Sequence, residues 1–66
     1  MDYSDAKNLL LEYCYENGCE CCTGIFYTHK NYDIRFYIYQ DSVKIEFLNI
    51  NFYSIEKLQM FLESLE

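Results

Sequence analysis

Residues 35–48 read RFYIYQDSVKIEFL, and the reading of this stretch decides the fold. Apolar and polar side chains alternate through RFYIY and again through VKIEF, the period of a half-buried strand. Aromatic and β-branched residues dominate both runs. Asp41-Ser42 between them tolerates a tight turn. The pattern predicts a hairpin of two strands over 32–40 and 43–50. Immediately upstream, GIFYTH predicts another strand over Gly24–His29, joined through Lys30-Asn31. Two-residue loops at both turns would set Ile25 opposite Phe36 and Tyr27 opposite Ile34. They would also set Phe36 opposite Phe47, Ile38 opposite Ile45 and Gln40 opposite Val43. One face then collects Ile25, Tyr27, Ile34, Phe36, Ile38, Val43, Ile45 and Phe47. The other carries Phe26, Thr28, Asp33, Arg35, Tyr37, Tyr39, Lys44, Glu46, Leu48 and Ile50. On that outer face Phe26, Arg35 and Leu48 share a row, Tyr37 opposes Glu46, and Tyr39 opposes Lys44.

Helices are expected on both sides of this meander. The first runs over 4–17, with Asp2 or Ser4 as N-cap and Gly18 as a left-handed stop. At 100° per residue Tyr3, Ala6, Leu9, Leu10, Tyr13 and Cys14 share one arc, while Asp5, Glu12 and Glu16 form an acidic stripe beside it. The second begins at Ser54, with Tyr53 and Leu58 placed to form a hydrophobic staple. Ile55, Leu58, Phe61, Leu62 and Leu65 make its apolar arc, and Glu56, Glu63 and Glu66 lie opposite. The expected fold is α+β: a single two-layer domain over 1–66, helix, three-stranded antiparallel meander, helix.

Size and charge narrow the function. A chain of 66 residues buries only roughly 60% of its unfolded surface. Eight Tyr and five Phe, in a composition 52% hydrophobic, supply the burial that a core this small needs. Eleven acidic against five basic residues give a net charge of −6. Lys7, Lys30, Arg35, Lys44 and Lys57 are scattered singly, which argues against direct binding of nucleic acid or of an anionic membrane. The acidic balance fits solubility, or attraction to a basic protein surface. MDYSDAKNLL at the start has no basic n-region, and no apolar run reaches the roughly 18 residues of a membrane span, so the expected location is the cytoplasm.

Four cysteines fall within nine residues: Cys14, Cys19, Cys21 and Cys22. Three readings compete. Tetrahedral zinc, with His29 replacing one thiolate, is disfavoured because structural sites draw paired ligands from separated segments and Cys21 and Cys22 are adjacent. A disulfide from Cys14 to Cys19, Cys21 or Cys22, or a redox role, is the second. The third, small buried hydrophobes at the helix–sheet junction, is preferred, with no cofactor expected. His29 beside a turn reads as a polar surface residue. No phosphate loop, nucleophile elbow or paired-carboxylate motif is present, and a fold this small has little room for a substrate cavity of roughly 300 Å³. The chain therefore reads as a binding protein rather than an enzyme.

Two surfaces are candidates for that binding. Phe26, Arg35, Tyr37, Tyr39 and Leu48 on the outer sheet face are of types enriched at interfaces, though tyrosines also pair well across strands in water. This face suits a protein partner or a second copy of the chain in a homodimer. The acidic stripes, Asp5, Glu12 and Glu16 with Glu56, Glu63 and Glu66, can imitate the charge spacing of a nucleic-acid backbone, although a solvated helix face looks the same. In order and charge, NLLLEYCYE, RFYIYQDSVKIEFL and SIEKLQMFLESL resemble the layout of small phage-encoded anti-CRISPR inhibitors. Members of that group are short, acidic and often α/β. Some occupy the site where an effector nuclease would bind DNA. The resemblance implies a nucleic-acid mimic, made in a bacterial host, that blocks a CRISPR effector or similar enzyme by protein–protein contact.

Overall fold

The computed structural model describes residues 1–19 and 24–65, with Cys19 described by its backbone. In chain order the elements are α1 (Tyr3–Tyr13), β1 (Cys14–Cys19), β2 (Gly24–His29), β3 (Arg35–Ile38), β4 (Val43–Ile45), β5 (Ile50–Phe52) and α2 (Ile55–Ser64). The fold is α+β, with two helices and a five-stranded antiparallel sheet ordered β1-β2-β3-β4-β5 among the described residues. Both expected helices and the strand 24–29 are present, but the sheet has five strands where the sequence predicted three.

α1 starts where the Asp2 carboxylate accepts the Ser4 N–H at 3.2 Å. It buries Ala6, Leu9 and Leu10, an i, i+3, i+4 stripe. It ends four residues earlier than the sequence predicted. Cys14 turns extended (φ −133°, ψ 164°), and CYENGC becomes the edge strand β1. Six residues are too few for helical and strand periods to separate, and pairing decides: β1 satisfies the backbone edge of β2 from Cys14↔His29 to Cys19↔Gly24. Gly18 is therefore no helix stop. It sits inside β1 at φ +89°, where a Cβ would collide with the Gly24 carbonyl oxygen.

Both predicted turns move. The first is a four-residue loop over 30–33, closed by the His29 N–H donating to the Ile34 carbonyl at 3.0 Å. The second has Gln40-Asp41 at its tip, with the Tyr39 N–H on the Ser42 carbonyl at 2.8 Å. Tyr27 consequently faces Phe36, and Phe36 faces Ile45. Each register slips by two residues, and an even slip keeps every side chain on its face. Tyr27, Phe36, Val43 and Ile45 are buried as expected, joined by Ala6, Leu9, Leu10, Cys14, Leu58 and Leu62 from the other elements.

Phe47 departs from expectation. The third predicted strand stops at Ile45, turns through 46–49 with Phe47 at φ 71° and Asn49 at φ 54°, and returns as β5. Phe47 is left 93% exposed at the turn.

α2 covers the same sheet face as α1. Leu58 and Leu62 enter the core, and the Phe61 ring meets Phe36 edge-on at 6.2 Å and Phe52 at 5.2 Å. Ser54 holds the N-cap position without a side-chain hydrogen bond, and Tyr53, the expected staple, is mostly in solvent. Among the described residues no helix is long and apolar enough to cross a membrane.

Candidate functional site

The outer sheet face is built by β2, β3 and the residue following β4. In the observed register Thr28 lies across from Arg35, and the Phe26 and Tyr37 rings meet on the same face. The Arg35 carbonyl accepts the Glu46 N–H at 3.0 Å, which carries the β3–β4 pairing one step past β4. Four side chains close into a ring. The Arg35 guanidinium lies 4.9 Å over the Phe26 ring, and the Phe26 and Tyr37 rings are 5.8 Å apart. The Tyr37 hydroxyl donates to Glu46 Oε1 at 3.3 Å, and Glu46 Oε2 lies 3.7 Å from Arg35. The expected row of Phe26, Arg35 and Leu48 does not form, because the register slips and Leu48 belongs to the 46–49 turn. Tyr37 opposes Lys44 and reaches Glu46 only diagonally. Tyr39 stands at the β3–β4 turn, half exposed.

Beside this ring a cleft of about 180 Å³ opens, lined by Asp33, Arg35, Glu46 and Phe47. Glu46 is the best buried of its charged groups, with a side chain 26% exposed. Its Oε2 is out of solvent and accepts no hydrogen bond. Phe47 was read as core. The signal that locates it outside is Asn49, a residue type that tolerates a left-handed conformation, two positions on.

The acidic stripes are rearranged. Asp5 and Glu12 are exposed on α1, and Glu56 and Glu63 on α2. Glu16 is not on a helix at all. As part of β1 it accepts the Tyr27 hydroxyl at 3.0 Å and lies 3.9 Å from Lys7, so its charge is partly engaged within the fold. Glu66 lies outside the described residues.

Cys14 and Cys19 stand too far apart for the expected disulfide between them. Cys14 is a buried free thiol opposite His29, while Cys19 pairs with Gly24 at the far end of β1. Five residues of extended chain span roughly 16 Å, well beyond the roughly 7 Å that a disulfide tolerates between Cα atoms. Cys21 and Cys22 lie outside the described residues. Burial pushes the Cys14 thiol up to about 12, with Lys30 pulling it back slightly, so it is protonated at neutral pH. His29, expected at the surface, is 4% exposed. Its Nδ1 accepts the Asn31 N–H at 3.1 Å, its ring meets Tyr32 at 5.4 Å, and its Nε2 is buried without a partner. Among the described residues no three metal-ligating side chains come together. Against this geometry stand the comparisons with known proteins: no family model, no curated protein and no solved structure matches the chain.

Proposed function

We propose that this chain is a protein-binding module that engages its partner through the outer sheet face, with the 46–49 turn as anchor. The observation that carries this reading is Phe47, a bulky aromatic held at φ 71° and 93% exposed. A non-glycine residue in the left-handed region costs roughly 1–2 kcal/mol, and an exposed ring returns almost nothing to the core. A residue unfavourable to folding on both counts is accounted for by what it contacts outside the chain. Leu48, more than half exposed, extends the apolar tip, and the net charge of −6 favours a partner with a basic rim.

A photoreactive benzoylphenylalanine at position 47, irradiated in cells of the source organism, tests this reading. A single discrete adduct, missing when the label is moved to Met60 on α2, is expected. No adduct, or the same adducts from both positions, removes the proposal.

A second reading is favoured by Asp5, Glu12, Glu56 and Glu63, all exposed on the helix layer that covers the opposite sheet face. In that reading the chain is an inhibitor whose helix layer occupies the basic nucleic-acid cleft of an enzyme such as a CRISPR effector. Adducts from position 60 rather than 47 favour it. So does partner binding that disappears when these four residues are changed to Lys and weakens steeply with added salt.

A further inference from the structure

We infer that the cleft between Asp33, Glu46 and Phe47 receives an arginine side chain of the protein partner. The inference rests on the sheet-face reading above and names the chemistry recognised there. Three observations point to it. First, a cleft of about 180 Å³ is smaller than the roughly 300–1,000 Å³ of small-molecule sites, which suits one long side chain rather than a metabolite. Second, the lining charges do not balance: Asp33 and Glu46 against Arg35 leave one negative charge over. One cation from outside neutralises the site, whereas an anion would meet two carboxylates. Third, Glu46 Oε2 is buried with no hydrogen-bond donor, and Arg35 at 3.7 Å is too distant to supply one. A carboxylate oxygen without a donor forfeits a strong charge-assisted bond, which an incoming N–H makes once the Glu46 side chain turns Oε2 into the cleft.

Phe47 selects arginine over lysine. Phe47 lines the cleft and is almost wholly exposed, and a planar guanidinium can stack on such a ring while donating edge-on to a carboxylate. The chain already uses this pairing within itself, where Arg35 lies over Phe26 and against Glu46. A compact ammonium has no flat face to stack and holds its hydration more strongly.

The test is an NMR titration of the ¹⁵N-labelled full chain with capped Gly-Arg-Gly, and with the same tripeptide carrying citrulline or lysine in place of arginine. Citrulline keeps the shape and removes the charge. The arginine peptide should shift the amides of Asp33 and residues 46–48 in a saturable way, with the citrulline peptide at least about tenfold weaker, the worth of one charge-assisted bond. Glu46→Gln, an isosteric change, should weaken the arginine peptide by a similar factor while the remaining spectrum stays in place. Phe47→Leu should bring the arginine peptide down to the level of the lysine peptide. Equal responses to arginine and citrulline, shifts confined to the helices, or no response at all would overturn the inference. An equal response to lysine in the unsubstituted chain overturns the stacked guanidinium. If position 47 crosslinks a partner while the arginine peptide leaves the cleft unmoved, this inference falls and the module reading stands.

Discussion

Cys14 and Tyr27 are buried in the core with protons that they hold firmly. Burial raises the Cys14 thiol from 9.0 to about 12. The Tyr27 hydroxyl is likewise raised well above its ordinary value, first by burial and then by its hydrogen bond to Glu16. In the unfolded chain the same groups ionise near 9.0 and 10.0. Above those values the unfolded state binds fewer protons than the folded one, so their stabilisation is complete below about pH 9 and is lost as pH climbs towards 12. Urea midpoints measured between pH 7 and 11 should therefore begin to fall near pH 9, and Cys14→Ala should remove the earliest part of that fall. A midpoint that stays level to pH 11 would refute the assignment. Gly18 carries a separate prediction. Gly18→Ala places a methyl against the Gly24 carbonyl at a φ of +89°, so a loss of roughly 1–3 kcal/mol is expected in thermal or urea unfolding.

At the scale of elements, the turn over 46–49 divides stability from function. Asn49 suits its left-handed conformation, whereas Phe47 does not. Phe47→Gly should raise stability by about 1 kcal/mol, because it relieves the strained φ and exposes no core atom. The same variant should bind the partner identified through position 47 more weakly, measured by titration with that partner purified. A gain in stability coupled to a loss of binding is the pattern of a residue kept for contact. A destabilised Phe47→Gly would mean that the ring packs on the fold in solution. At the opposite edge of the sheet, β1 shows where reading elements from sequence stops. NLLLEYCYENG continues a helical pattern past Tyr13, and nothing local to residues 14–19 reports that the open edge of β2 needs a partner strand.

For the whole molecule, a chain of 66 residues has a net stability of roughly 3–10 kcal/mol. Phe36 is fully buried at the centre of the sheet, facing Tyr27, Ile45 and Phe61. Phe36→Ala should cost about 3–5 kcal/mol, most of that margin, and leave a chain without sharp near-ultraviolet dichroism or a cooperative melt. The outer face should not drive self-association by itself, since Arg35 already lies over Phe26 and Phe26 packs with Tyr37. Sedimentation at high micromolar concentration should give a monomer. A dimer that dissociates on Phe47→Ala would instead identify a second copy of the chain as the partner.

The sequence alone determined the inward face of the strands up to Ile45. Strand alternation has a period of two, and both registers slipped by two, so Tyr27, Phe36, Val43 and Ile45 stayed inside although their predicted partners were wrong. It also placed both helices and narrowed the first cap to Asp2 or Ser4, because i, i+3, i+4 stripes and capping chemistry are local, although it ran α1 four residues too far. Of the candidate site, Phe26, Arg35, Tyr37 and Glu46 were legible as one face by parity. Tertiary structure decided the rest. Whether CYENGC continues a helix or closes a sheet edge depends on an unpaired strand ten residues away. Whether the chain from Val43 runs on to Ile50 as one strand or turns back at 46–49 depends on its pairing with residues 50–52. That second choice sent Phe47 from the core to the surface and opened the cleft beside Glu46. Neither outcome could be read locally, since each is settled by hydrogen bonds and burial between segments that meet only after the chain has folded.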